Sequence, residues 1–203
     1  MKKYAVLHEP GDIVTLAGTG FVVLDVERRG SLPDSLFLLA LESVGASEFG
    51  SSNNYAESDL KKAVDKWLED MGKRGLDNAK LIPREIDLTT LDGSGCYGKL
   101  SVKAAPLTLD EARKYADIIP NAERWCWLAT GWSGPSKSDG DLALYVNSNG
   151  VWYNISCSVS GGIRPALKAP SILFEDSEAG LDLSKIPTDD LLQEIHRRLA
   201  EKA

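Results

Sequence analysis

The stretch Gly161-Gly162-Ile163-Arg164-Pro165-Ala166-Leu167 sets a charged residue inside an apolar strand, with paired glycines before it and a proline after it. Adjacent glycines permit positive φ or a close approach of backbones. Pro165 cannot donate to a sheet ladder, which puts it at an edge or a bulge. Arg164 then has two readings. Its planar guanidinium is able to clamp a ligand carboxylate through paired N–H donors. The favoured reading is structural, with the arginine tying the last strand to a carboxylate or to loop carbonyls. Outward from this segment the pattern is β. Asp141 to Val146 is an apolar strand, and Asn147-Ser148-Asn149-Gly150 turns it into Val151 to Ile155. Arg124 to Thr130 is a further strand, followed by the polar loop Gly131 to Gly140, and Ser171 to Phe174 reads as a last short strand.

The remainder of the chain fits an α+β domain. Asp12 to Leu16, Phe21 to Glu27 and Ser35 to Ser43 are apolar runs separated by Gly18-Thr19-Gly20 and Gly30 to Asp34, which predicts an antiparallel meander. Asn54 to Glu57 has capping-box form and precedes Leu60, Ala63, Val64, Trp67, Leu68 and Met71 at helical spacing. That spacing makes Trp67 a core residue, and Gly72 or Gly75 supplies the stop. Glu85 to Leu88 and Cys96 to Val102 are weak extended pieces. Thr108-Leu109-Asp110-Glu111 opens a second helix with Leu109, Ala112, Ala116 and Ile119 inward and Pro120 as terminator. Residues 175–186 form an acidic linker, and 187–203 an amphipathic helix with Leu191, Leu192, Ile195 and Leu199 on its stripe. The expected division is a domain at 1–174, the linker, and that helix, which packs in cis or serves homo-oligomerisation or docking.

Composition excludes several functions. The net charge of -7 comes with no basic stripe, so nucleic acid is not expected as a partner. Apolar runs are strand-sized, which gives no membrane span, and His8-Glu9-Pro10-Gly11 interrupts any secretory core after Lys2-Lys3. A cytoplasmic or virion-associated location follows as the expectation. The three cysteines, Cys96, Cys126 and Cys157, form no CxxC pair, and the two histidines, His8 and His196, lie far apart in sequence, so neither a metal site nor a cofactor is expected.

Several segments resemble, in order, an uncharacterised bacterial and bacteriophage domain family of unknown function. They are Asn54-x-x-x-Ser58-x-Leu60 leading to Trp67-Leu68, Leu107 to Ala112 before a tyrosine, Trp125-Cys126-Trp127-Leu128, and Gly162 to Leu167. The likeness spans roughly residues 11 to 174. That family is similar to the C-type-lectin-like fold, in the branch of formylglycine-generating enzymes and phage tropism-determining proteins. The resemblance implies a twisted antiparallel sheet flanked by two helices, with loops that display binding residues. The copper chemistry of the enzyme branch needs two close cysteines near the end of the domain, where this chain has Cys157 alone.

The site expectations follow from these readings. Alternation puts Trp125 and Trp127 on one buried face, and Trp152 and Tyr153 on opposite faces. Trp132 precedes a polar loop and is taken as an exposed aromatic suited to stacking on a sugar or peptide. The expected binding surface is Trp132, Ser133, Lys137, Asp139 and Asp141 with Asn147, Asn149 and Asn154. Its ligand is an unidentified protein or glycan, bound without catalysis. The alternative is an enzyme acting through Cys157 or Glu175-Asp176.

Overall fold

Ile13 and Val14 fold back onto Val22 and Phe21 through a two-residue turn at Ala17-Gly18. Both turn residues have positive φ, 46° and 75°, the arrangement whose twist suits a tight hairpin. This turn joins β1 (Ile13–Leu16) to β2 (Thr19–Arg29), so Thr19 and Gly20 are already strand. The computed structural model describes residues 8–30 and 32–174, together with Thr188, Asp189 and Leu192. The linker expected at 175–186 lies outside the described residues, as does the helix at 187–203 apart from those three positions.

β3 runs over Leu32–Ala40 instead of Ser35 to Ser43, because β2 extends to Arg29 and pairs with Leu32 across a tight turn. The expected N-terminal meander is present, with register shifts between Val23 and Asp25 and between Glu27 and Arg28. α1 spans Asp59–Lys73 and buries Leu60, Val64, Trp67 and Met71. Its cap is Ser58, whose hydroxyl accepts from Lys61 N at 2.9 Å. Asn54 instead caps a separate 3-10 turn at Tyr55–Glu57, accepting from Ala56 N, so the expected capping box is displaced by one short turn. Ser58 joins the two, since its hydroxyl also donates to Tyr55 O. Gly75, at φ 103°, follows the helix end.

β5 (Arg84–Asp87) and β6 (Lys99–Val102) form a two-stranded ribbon. α2 covers only Leu109–Lys114, opened by the expected capping box of Thr108 and Glu111. Pro120 does not end it. The chain leaves helical geometry at Tyr115, which is buried, while Ala116 is exposed, contrary to the expected inward face. The last strand is β12 (Ala166–Pro170), and Ser171–Phe174 is a 3-10 turn, not a strand.

The expected single sheet is in fact two five-stranded sheets plus the ribbon. The first has the order β1-β2-β3-β12-β7, with β7 at Ala104–Ala105. The second has the order β10-β9-β8-β11-β4, comprising β4 (Ala46–Ser47), β8 (Cys126–Gly131), β9 (Leu142–Val146), β10 (Trp152–Ser156) and β11 (Gly161–Gly162). One pair in it, β11 with β8, is parallel. The segment quoted first above thus serves both sheets. Gly161-Gly162 lies between β8 and β4, and Ala166–Pro170 lies between β3 and β7. At the crossing, Ala40 N donates to Pro165 O and Arg164 Nε donates to Ala40 O, each near 2.9 Å.

Both sheets bury two faces, which is why β2 and β8 read as continuous apolar runs. Phe21, Val23, Leu36, Leu38 and Leu167 meet α1 and Trp127 in one core. Val22, Leu24, Leu39 and Ala166 meet Leu109, Ala112, Tyr115, Leu128 and Leu144 in a second. Trp67, Trp125 and Trp127 are core as expected, with Trp125 and Trp127 edge-on at 5.1 Å. The second core is open on one side, and that opening is where the site lies.

Candidate functional site

A cavity of about 280 Å³ opens between α2 with its following turn, β8, and the β9–β10 hairpin. This lies near the small end of sites that take small molecules, roughly 300–1,000 Å³. Leu39, Leu107, Leu128 and Val146 give it apolar walls, and Trp152 stands at the hairpin side. Its titratable groups are Arg124, Arg164 and Cys126; neither a carboxylate nor a histidine lines it.

Arg164 reaches this cavity because β8 and β3 flank the crossing segment. Only 6% of the residue is exposed. Nε is used by Ala40 O at 2.8 Å, whereas Nη2 is buried with no hydrogen-bond partner. No carboxylate forms an ion pair with it among the described residues; burial draws its pKa down, and Cys126 and Glu42 act in the opposite direction. The contrast with Arg84 is informative. Arg84 is also largely buried, and the fold gives it Glu111 as an ion-pair partner, Ala105 O at 3.0 Å and the ring of Phe37. A buried cation left without such a partner costs several kcal/mol, roughly 3–5 where one partner of a buried pair is removed.

The hairpin supplies polar groups to the same cavity. Asn147 Oδ1 accepts from Asn149 N at 3.1 Å and from Val151 N at 2.9 Å, and Asn149 Oδ1 accepts from Val151 N at 3.3 Å. These backbone donors fix which way each amide points. The amide nitrogens have no partner among the described residues and remain available as donors.

The expected binding residues divide into two groups. Asn147 and Asn149 line the cavity. Asn154 sits on β10 opposite Leu144, half-buried and outside the lining. The others lie on the Gly131 to Gly140 loop, which is held down from several sides. Asn53, 1% exposed, donates to Ser133 O and to Leu142 O at 2.9 Å each and accepts from Tyr97 Oη at 2.6 Å. Lys137 pairs with Asp92 at 2.5 Å, which holds the Asp92 carboxyl well below its usual range. Trp132 is half-buried against the second core instead of exposed, because Trp132 N bonds Leu142 O and draws the residue into the sheet. Ser133 is buried as well; Asp139 and Asp141 are exposed. Among the described residues the exposed aromatics are Trp152 and Tyr153, both on the edge strand β10.

Arg164, Arg124 and Trp152 are therefore the cavity residues that sequence reasoning did not place in a binding site. Arg164 carried a signal, a charge within an apolar run, but its neighbours in space come from distant parts of the chain. The two buried thiols offer little chemistry. Burial pushes Cys126 up to about 11 and Cys157 up to about 12, so both are protonated at neutral pH. Glu175 and Asp176 lie outside the described residues. Among the described residues no group of His, Cys, Asp or Glu is arranged to hold a metal ion, and no helix is long and apolar enough to cross a membrane. Compared with known protein families, with curated proteins and with solved structures, the chain matches none.

Proposed function

We propose that this chain is a non-enzymatic binding module on a scaffold like that of the C-type lectins, and that its ligand occupies the cavity between α2 and the β9–β10 hairpin. The observation that carries the reading is an apolar cavity with a small set of convergent polar donors, the usual build of a ligand site. Binding is favoured over catalysis because the titratable groups there are two arginines and a thiol kept protonated, which supplies no general base. The scaffold reading is supported by two helices, a tryptophan-bearing strand beside the cavity, and a late strand that returns to pair with β3. A scaffold alone does not define a function, so the site carries the proposal.

Fragment screening by amide-resolved NMR tests it. Bound fragments are expected to shift the amides of Ala112 to Ala122 and Val146 to Trp152. Hits that perturb only residues 133–140 would move the site to the loop instead and overturn the cavity assignment.

A further inference from the structure

We infer that the cavity selects ligands bearing a single carboxylate on a small apolar body, with the Arg164 guanidinium receiving the carboxylate. This deepens the binding reading above and rests on it. Three independent features converge. Arg164 is a nine-tenths buried cation lining the cavity, and among the described residues its Nη2 has no partner and no acidic group pairs with it. The second is the sign of everything else there. The chain carries 30 acidic residues against 23 basic ones, yet no acid among the described residues lines this cavity, while Arg124 does. Asn147 and Asn149 spend their oxygens on the turn and keep their N–H donors. The third is the contrast with Arg84, whose Nε is likewise buried without a partner but whose charge is paired with Glu111.

The cavity's chemistry also narrows the anion. A single unpaired guanidinium nitrogen suits a monoanion, and the walls of Leu39, Leu107, Leu128 and Val146 suit an aliphatic or aromatic body. Two sources present the favoured chemistry: a free organic acid, and the C-terminal carboxylate of a peptide ending in an apolar residue.

The test is calorimetric titration of the full chain with matched pairs: hexanoate and hexanamide, phenylacetate and phenylacetamide, N-acetyl-leucine and its amide, and a tripeptide ending in leucine in acid and amide forms. Arg164 Nε–H is followed by NMR in the same samples. Acids are expected to bind roughly tenfold or more tighter than their amides and to shift the Arg164 resonance. Preference for the peptide over the simple acids, or the reverse, identifies the source. Arg164→Met is expected to abolish the acid preference. Because that change also removes the bond to Ala40 O, Asn147→Asp is used beside it. An aspartate keeps the acceptor that the turn needs and adds a negative charge at the cavity, so acids should weaken by roughly tenfold while amides hold their affinity. Equal affinity of acids and amides for the wild type overturns the anion inference and leaves the binding cavity standing. Failure of every acid and amide at millimolar concentration overturns both. Acid binding unchanged in Asn147→Asp also counts against the assignment.

Discussion

A methyl group placed on Gly162 would lie 2.6 Å from Trp125 O and 2.8 Å from Cys126 Sγ, and on Gly161 it would lie 2.2 Å from the Trp125 ring. Neither glycine has a positive φ; close packing, not backbone conformation, demands them. A clash with a side chain can be relieved by a ring movement, whereas the clash at Gly162 is with backbone and requires β8 and β11 to separate. Gly162→Ala is therefore expected to destabilise by about 3 kcal/mol, the upper part of the range for overpacking. Gly95→Ala is the control, because nothing lies within 4 Å of its added methyl. Urea denaturation of both variants checks the difference; equal midpoints would show that the crossing tolerates a side chain. Arg164 gains its meaning at this same scale. Its two readings from sequence were alternatives, yet the side chain holds Ala40 O with one nitrogen and leaves another unpaired beside a cavity.

Elements with a local code were the legible ones. α1 shows in the spacing of Leu60, Val64, Trp67 and Met71, and its outline needs no knowledge of the fold. Its start was misjudged because Asn54 and Glu57 mimic a capping box, while the hydroxyl that receives a helix amide is that of Ser58. Ser58→Ala is expected to cost about 1–2 kcal/mol, since it loses a cap and a buried bond to Tyr55 O. Asn54→Ala should cost about half as much, as it frees one amide of a short turn. Chemical denaturation gives the ranking, and the reverse order would return the helix start to Asn54. Sheet order had no such local signal. β11 consists of two glycines and displays no side-chain alternation, and its neighbours β8 and β4 are remote in sequence. The cavity was hidden for the same reason. Its walls join Leu39, Ala112, Leu128 and Val146 from separate elements, whereas the turn at Asn147 and Asn149 was readable as a turn. The Gly131 to Gly140 loop was readable as a loop, but Asn53 and Asp92, which hold it down, were not.

Across the whole molecule, ten residues from Gly161 to Pro170 add a strand to each five-stranded sheet. A chain ending at Ser160 would lose the neighbour of β3, the partner of β7 and the strand joining β8 to β4. Such a chain is expected to lose cooperative unfolding and near-ultraviolet tryptophan dichroism while α1 keeps some helical signal. A sigmoidal thermal transition in the truncated chain would refute this. The position of the segment also bears on how the protein is made. Arg164 follows Ala40 by 124 residues, so during translation the edge of β3 that pairs with β12, from Ser35 to Leu39, emerges long before its partner strand. Contacts of such long range close slowly and leave a sticky edge in the interim. The growing chain therefore carries an open sheet edge until β12 can pair with β3, so its yield is expected to depend on the speed of synthesis and the supply of chaperones.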